Sequence, residues 1–545
     1  MSIADTVAKR SKPEAKSQPK SKSHTVSVLR ESPFSRPKAR MTTPLPPEHT
    51  YGAASMQVYA DGQVAYNTHA SADGFIAYVS QFEQVSFRVK DTQVQWWQYD
   101  PTFDDWQSNF GCDSVEVFYH AGHGGTDAST GDYSAPLGGS WDNVIFLNSD
   151  QMSIGDQRLR YLFLATCDGC MVFAPNNPIR TWNVCNRGFS MVFGATGLIY
   201  DDPNYGSRFW SHWNSGISFS EAWQDCILDA GSSQQPATAA VGSSAADAQS
   251  RLFNERFFTS ASASHAWYWW RWVGNAPAGV TAHKIAHMPK SRKFARVAPR
   301  AVTRESVLAA MKRHGFAAPS GLPDGPLDTL RVSKGDALFG VIPGGVSVEF
   351  GPATPVATHL TEAQARAAAS HAIGGEKDLH LVAVLPAQHA GGPAEGDHGG
   401  LIAETYEHIA IYRQMVGGLP VLTPGVGEIR VHIDARGRAR RIVDTRLEIG
   451  EARDSGPFPL ASPSRGKGHT LGRELTTMEE VLAALHMAAA RFSGGTKGTS
   501  RLIPDSVEFG LALRGTDLIP VARASVEIGK GPYKMFEVAE VDLFG

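Results

Sequence analysis

The sequence predicts an α/β fold, a mostly parallel sheet with flanking helices, followed by an α+β region. Two apolar runs, residues 115–121 and 161–165, show no alternation and stop near glycines, which is typical of parallel strands covered on both faces. The composition also changes along the chain, because all 12 tryptophans lie between Trp96 and Trp272. A chain of 545 residues exceeds one ordinary core, so we expect two or three domains.

Five segments are expected along the chain. Residues 1–48 hold ten Lys or Arg against four Asp or Glu without apolar periodicity, which predicts a disordered basic arm. Residues 49–280 alternate strand and helix patterns. Residues 281–300 contain six Lys or Arg and no acid, which predicts a linker. Residues 301–455 and 456–545 each place a helix before alternating strands, which predicts two α+β units.

The first elements follow from local pattern. A strand is predicted near residues 56–59, and apolar residues at helical spacing in residues 75–82 predict a helix. Another strand is expected at residues 85–89. Alternation of this kind implies parallel strands joined by right-handed crossovers. Residues 126–142 are rich in Gly, Ser and Asp and predict a loop that shapes a cleft.

Later elements carry clearer signals. Ser218 and Glu221 form a capping box, so a helix begins there. Residues 231–249 are rich in Ser and Ala and predict a surface loop. The tryptophan-rich residues 267–272 predict the closing strand of the first domain. The N-caps predicted for three helices beyond it are Thr303, Thr361 and Thr477.

Two predicted strand ends carry candidate chemistry, His123 and Cys167. Carboxyl ends of parallel strands meet at one rim of a sheet, where sites form in open α/β folds. An imidazole beside a thiol takes its proton or stabilises the thiolate. The sequence therefore predicts a nucleophile and base pair, with the Gly124 and Cys167 amides as an oxyanion hole.

These residues resemble the caspase-like cysteine peptidases, a group that includes caspases, legumain, gingipains, separase and the caspase/HetF-associated domains. In that family a strand ending in His-Gly precedes one ending in a small residue and the nucleophilic Cys, here His123-Gly124 and residues 165–167. The string Tyr119-x-Ala-Gly-His-Gly is similar to that of a bacterial branch. The resemblance covers about residues 50–275 and implies a cysteine endopeptidase that needs no cofactor and acts on peptide or protein substrates.

Two alternatives stay open at this point. A catalytically inactive caspase-like scaffold would bind peptide or protein without cleaving it. A zinc site would use His120 and His123 with Cys167 and Cys170, although a His-x-x-His gap is tighter than usual and a strand points neighbouring side chains apart. Without zinc, His120 and Cys170 are packing residues.

Substrate preference has one sequence signal. Family members that cleave after Arg or Lys commonly carry an acid two residues before the nucleophile, but that position here is Ala165. Asp201 and Asp202 lie after the neighbouring predicted strand and are candidate substrate-binding residues for a basic side chain. The alternative is that they cap a turn.

The later region also resembles a known module. Residues 412–421 and 429–438 are similar to the thermolysin-propeptide and PepSY modules, in which a cystatin-like sheet commonly chaperones or inhibits an attached peptidase. The resemblance implies that the C-terminal region restrains the first domain as an intramolecular partner, with residues 284–300 as a place for a releasing cut. The alternative is that this region completes the first domain's core.

Composition excludes some classes. The net charge is -3 and no apolar run reaches the length of a membrane span. No apolar segment typical of a secretory signal begins the chain, so a cytoplasmic location is expected. Five cysteines, an odd number, favour thiols over disulfides. The basic arm more often keeps a chain in solution than binds nucleic acid.

Overall fold

The computed structural model describes most of the chain. The described residues are 25–27, 30–34, 50–100, 110–127, 129–274, 294–297, 303–318, 322, 327, 330–396, 398, 401–453, 474–493 and 500–544. Within them the fold is α/β overall, with helices on a large mixed sheet. No helix in this part of the chain has the length and apolar character to cross a membrane.

The described helices begin largely where side-chain caps predict. The hydroxyls of Thr303, Thr361 and Thr477 each accept the amide of the third helical residue, as does that of Ser218. The helices are α1 Thr68–Val79, α2 Pro178–Trp182, α3 Tyr205–Asn214, α4 Phe219–Leu228, α5 Ala245–Asn254, α6 Arg304–Arg313, α7 Glu362–Ala372 and α8 Met478–Ala490.

The strands follow in chain order. They are β1 Thr25–Ser27, β2 Tyr51–Ser55, β3 Phe87–Lys90, β4 Val117–Ala121, β5 Gly125–Thr126, β6 Tyr133–Trp141, β7 Val144–Asn148, β8 Tyr161–Ala165, β9 Met191–Ala195, β10 Pro236–Gly242, β11 Trp267–Val273, β12 Phe294–Val297, β13 Arg331–Lys334, β14 Ala337–Ile342, β15 Gly345–Glu349, β16 Leu379–Pro393, β17 Glu404–Val416, β18 Leu419–Pro420, β19 Glu428–Asp434, β20 Ala439–Asp444, β21 Ile449–Arg453, β22 Ser500–Leu502, β23 Glu508–Arg514, β24 Asp517–Lys530 and β25 Tyr533–Asp542.

The first half of the main sheet is doubly wound. Its strands lie in the order β3-β2-β4-β8-β9, and all neighbouring pairs are parallel. Strands β4 and β8 are buried along their whole length, which explains their mostly apolar sequence, with His120 as the polar exception. Because the chain moves from β2 outward to β3 and then back to β4, the strand order reverses beside β2 and β4. Ligand sites of doubly wound sheets form at such a reversal.

The sheet does not end with the tryptophan-rich strand. Strand β11 pairs antiparallel with β10 on one side and with β16 on the other, so the prediction of a closing strand is wrong. The sheet continues through β16, β17, β19, β20, β15, β14 and β13 to β1. The bulky indole rings predict a strand at the edge of the sheet that packs against a helix or another domain. The backbone groups of β11 are instead paired with a strand on each side.

Four further predictions need correction. The loop predicted at residues 126–142 contains the strand β6, Tyr133–Trp141. Residues 25–27 form β1 on β13, and Phe34 is buried against Tyr51 and Phe258, so the predicted disordered arm does not hold there. Strand β12 lies inside the predicted linker and joins β21 to β24 in a second sheet. The predicted surface loop at residues 231–249 contains β10 and part of α5. The domain boundaries predicted at residues 280, 300 and 455 stay predictions. Strands from both sides of each boundary belong to the same sheet.

A buried ionic network joins α4 to the later strands. Asp225 is fully buried in an ion pair with Arg441, and Glu221 pairs with Arg440 at 2.7 Å. Asp229 accepts from His212 at 2.8 Å and from Arg430. Burial alone would raise the pKa of Asp225, but Arg441 and Arg430 outweigh it and hold that pKa well below its usual range. The acids of α4 therefore depend on arginines supplied by β19 and β20.

Candidate active site

The two predicted strand ends are neighbours in the sheet. Strands β4 and β8 run parallel with Ala121 opposite Ala165, and His123 and Cys167 each lie two residues beyond that pair. The Gly122 amide donates to the Ala165 carbonyl at 3.3 Å, which extends the pairing past the strands. The ends of adjacent strands are about 5 Å apart, so both residues belong to one rim.

His123 is held by two residues, Val64 and Tyr59. Its Nε2 lies 3.0 Å from the Val64 carbonyl oxygen, and because a carbonyl only accepts, the ring donates there. The amide of His123 donates to the Tyr59 hydroxyl at 2.7 Å, and the two rings lie 4.9 Å apart. The neutral ring therefore carries its proton on Nε2 and leaves Nδ1 as an acceptor. This Nδ1 is buried without a hydrogen-bond partner among the described residues.

Cys167 is held by the chain segment that follows β9. Its Sγ accepts the Ile199 amide at 3.2 Å. Burial raises the pKa of the Cys167 thiol well above its usual value; the Ile199 hydrogen bond opposes this, and Asp168 and Asp201 add to it. For His123, burial lowers the pKa, and the Val64 hydrogen bond and Asp201 oppose that change. Both groups are therefore neutral near pH 7 in this closed arrangement.

The pair is close but not joined. No hydrogen bond connects the Cys167 thiol to the His123 ring in the described structure, and both side chains are 0% exposed. Residue 168, directly after the cysteine, has φ of 53° although it is an aspartate. A left-handed residue beside a candidate nucleophile is the type of local strain that clusters at functional sites.

Gly124 lies against the backbone of the cysteine. A Cβ at this position would come within 2.7 Å of the Cys167 carbonyl oxygen and 2.9 Å of the Tyr133 hydroxyl, so only glycine fits here without rearrangement. Within the described part of the chain, neither the Gly124 amide nor the Cys167 amide has a hydrogen-bond acceptor. Unpaired backbone donors at one rim are what an oxyanion hole requires.

The two predicted substrate-binding acids have other partners. The Asp201 carboxylate accepts the amides of Tyr66 and Asn67 at 2.6 and 2.8 Å, just before α1. Asp202 accepts the Asn204 amide at 2.7 Å and pairs with Arg208 at 3.0 Å. Both acids are more than nine-tenths buried. The bond from the Asn204 amide to Asp202 matches the alternative expectation of a capped turn, and the pocket for a basic side chain gains no support.

His120 and Cys170 lie apart from this chemistry. The Nδ1 of His120 bonds the Tyr99 hydroxyl at 2.8 Å, and burial lowers the pKa of His120 to about 4. Cys170 is fully buried, and its amide donates to the Ala195 carbonyl at 3.0 Å. Among the described residues no group of three or more His, Cys, Asp or Glu side chains is arranged to hold a metal ion. The zinc alternative therefore gains no support.

Sequence reasoning missed the residues that position the pair. Val64 and Ile199 act through backbone groups, which leave no side-chain signal in a sequence. The sequence predicts Tyr59 within a strand and gives no signal for a role of its hydroxyl. Its spacing of 64 residues from His123 means that only the pairing of β2 with β4 brings the two together.

Comparison with protein-family models gives a match. Residues 53–274 match the family model of a domain of unknown function, DUF6345. This range spans well under half of the 545 residues and includes both His123 and Cys167. A search of curated proteins found none that matches.

Proposed function

We propose that the first half of the chain is a caspase-like cysteine peptidase domain, with Cys167 as nucleophile and His123 as base. One observation carries the proposal. The ring of His123 is fixed by Val64 so that its proton lies on Nε2, and its Nδ1, the atom needed as a base, is buried without a partner among the described residues, beside the strand β8 that precedes Cys167. The doubly wound strand order supports a site at this rim.

The proposed reaction uses groups already at the rim. The Cys167 thiol gives its proton to Nδ1 of His123, and the thiolate attacks the carbonyl carbon of the scissile peptide bond. The amides of Gly124 and Cys167 donate to the oxyanion that forms. Collapse of this intermediate breaks the C–N bond, and His123 returns the proton to the leaving amine. Water, deprotonated by His123, then hydrolyses the thioester and regenerates the thiol.

The closed arrangement must change before this reaction. A raised thiol pKa keeps Cys167 protonated, and the nucleophile of such an enzyme is the thiolate. Substrate entry must expose Sγ and bring it to Nδ1 of His123. In the proposal, the site therefore exists in a resting form that is converted to an active form by movement of the segments covering it.

An inactive scaffold is the second candidate. It is favoured by the full burial of Cys167 and by the missing hydrogen bond between the side chains of Cys167 and His123 in the described structure.

The later region has the elements of the proposed PepSY-like module. Strands β16, β17 and β19 with α7 are compatible in plan with the PepSY-like proposal. Their place in the continuous sheet favours a structural role over a releasable one.

Hydrolysis of a peptide library by the full-length chain tests the peptidase proposal. Cys167→Ala and His123→Ala should each abolish cleavage. Cys170→Ala is the matched control, because it removes a sulfur atom from an equally buried position at the same rim without removing the nucleophile. Cleavage that survives Cys167→Ala would overturn the proposal. Loss of cleavage in Cys170→Ala as well would assign the effect to packing.

A further inference from the structure

We infer that residues 530–537, the tip of the β24–β25 hairpin and the start of β25, form an intramolecular plug that covers the candidate active site and moves aside before substrate reaches Cys167. The inference rests on the proposed function, because it assigns a role to what covers that site. The sequence predicts that the propeptide-like residues 412–438 restrain the first domain. The inference assigns that restraint to the β24–β25 hairpin instead.

The plug contacts the segments that hold His123. The amide of Lys530 donates to Oε1 of Gln63 at 2.8 Å, and Gln63 precedes Val64, whose carbonyl fixes the His123 ring. A Cβ on Gly125 would lie 2.8 Å from the Pro532 carbonyl oxygen, so the hairpin tip rests on the backbone two residues after His123. The tip therefore covers the histidine side of the rim.

The same plug covers the cysteine side by strand pairing. The Phe536 amide donates to the Ile199 carbonyl at 2.8 Å, and the Asp201 amide donates to the Phe536 carbonyl at 2.7 Å. These two bonds form a parallel bridge around Tyr200. The other polar group of Ile199, its amide, donates to Sγ of Cys167. Phe536 thus occupies the backbone edge that adjoins the nucleophile, where an extended peptide would pair.

A tyrosine anchors the tip. The Tyr533 hydroxyl lies 2.9 Å from Oγ of Ser134, and its ring stacks on Phe146 at 5.2 Å between centroids. Both partners belong to the small β6–β7 sheet, which directly follows the His123 strand end. The neighbouring Tyr133 hydroxyl donates to Thr166, the residue before Cys167. The anchor therefore lies on the wall that faces the candidate nucleophile.

The tip, residues 530–534, has fewer strand partners than the rest of the second sheet, whereas Met535 and Phe536 beside it are buried. Strand β22 pairs with β24 up to Ile528, and β23 pairs with β24 only up to Arg523. Beyond Ile528 the described hairpin pairs only with itself and with the rim. Gly529 has φ of 111°, a conformation open to glycine, at the point where the ribbon leaves the second sheet. The tip can therefore lift while the buried ionic network on α4 stays intact.

Two variants loosen the plug in different ways. Tyr533→Ala removes the anchor. In the second variant, residues 530–533 are replaced by Asn-Gly, which joins the paired residues Gly529 and Lys534 through a favoured two-residue turn. Arg501→Ala is the matched control, because it removes an ion pair to Glu527 on the same hairpin from a largely exposed position and leaves the tip contacts in place.

The measurement is the alkylation rate of each of the five thiols by iodoacetamide in the full-length chain, read by mass spectrometry. We expect Cys167 to react about ten-fold faster or more in both plug variants than in the unchanged chain and in Arg501→Ala, because a local opening exposes a buried thiol. The other four thiols should keep their rates. An unchanged Cys167 rate in both variants, or an equal rise at all five cysteines, overturns the plug.

Cleavage by the same variants separates this inference from the proposed function. Faster labelling of Cys167 without peptide hydrolysis supports the plug and overturns the peptidase proposal. Hydrolysis by the unchanged chain that neither variant increases supports the peptidase proposal and overturns the plug.

Discussion

The ring of His123 donates from Nε2 to the Val64 carbonyl oxygen at 3.0 Å and keeps Nδ1 buried without a partner in the described structure. A backbone oxygen therefore does what a carboxylate does in many catalytic pairs, since it fixes the tautomer and the orientation of the base. His120 lies three residues earlier, on β4, and its Nδ1 bonds the Tyr99 hydroxyl. The two histidines therefore differ in the ring nitrogen that has no hydrogen-bond partner among the described residues, which is Nδ1 in His123 and Nε2 in His120.

The first prediction compares these two histidines. His123→Ala should abolish any peptidase activity, because it removes the Nδ1 acceptor that lies two residues beyond β4, beside the strand that precedes Cys167. His120→Ala should retain most activity, since His120 packs against Tyr99 instead of facing the candidate nucleophile. Cleavage rates of both variants at equal folded concentration check this. Equal loss in the two variants would contradict the assignment of the base.

The second prediction concerns truncation after residue 280. We expect an insoluble or unfolded fragment, because truncation removes the strands β19 and β20 that cover the α4 acids Glu221 and Asp225 and exposes the apolar surface packed beside them. Strand β11 also loses its partner β16. Solubility and far-ultraviolet circular dichroism measure the outcome. A soluble fragment with higher activity than the full chain would restore the idea of a releasable C-terminal restraint.

The third prediction tests the ionic network by a double-mutant cycle. Arg441→Met alone should lower the unfolding free energy by about 3–5 kcal/mol, because Asp225 stays charged and buried. Adding Asp225→Leu should recover most of that loss, since it removes the unpaired charge. Urea denaturation of the unchanged chain, Arg441→Met, Asp225→Leu and the double variant gives the four free energies of the cycle. If the double variant is no more stable than the single one, the pair is not the dominant interaction of Asp225.

The fourth prediction separates capping from substrate binding at Asp201. Asp201→Asn should lower stability by roughly 1–3 kcal/mol, because its carboxylate accepts two amides at the start of α1. Hydrolysis of basic and apolar peptides should fall together. A selective rise in KM for peptides with Arg or Lys, at unchanged stability, would instead support the pocket predicted from the sequence.

The fifth prediction is a pH dependence from His120. Burial lowers the pKa of His120 from 6.5 to about 4, so the folded protein holds this ring neutral while the unfolded chain protonates it. The contribution of the neutral His120 ring to the free energy of unfolding is fully present above pH 6.5. It is lost as the pH falls toward 4, and the loss reaches roughly 3 kcal/mol. Denaturation at pH 7.5 and 5 measures it. His120→Asn should reduce the difference, and an unchanged pH dependence would contradict this origin.

The sequence by itself determined the local elements of the site. Uninterrupted apolar runs predicted β4 and β8, because strands buried on both faces need no polar alternation. Parallel strands end at one rim, so His123 and Cys167 were predicted as a pair from the sequence, and side-chain caps placed the helix starts at Ser218, Thr361 and Thr477. These features depend on neighbouring residues, which a sequence records directly.

Only the tertiary structure decided what surrounds the pair. Val64 and Ile199 act through main-chain atoms, and any residue type supplies those. The β11–β16 pairing and the cover by Phe536 join segments more than 100 and 300 residues apart in the sequence. Strand partners over such distances are chosen by the summed burial and backbone pairing of the whole sheet, which no local pattern contains.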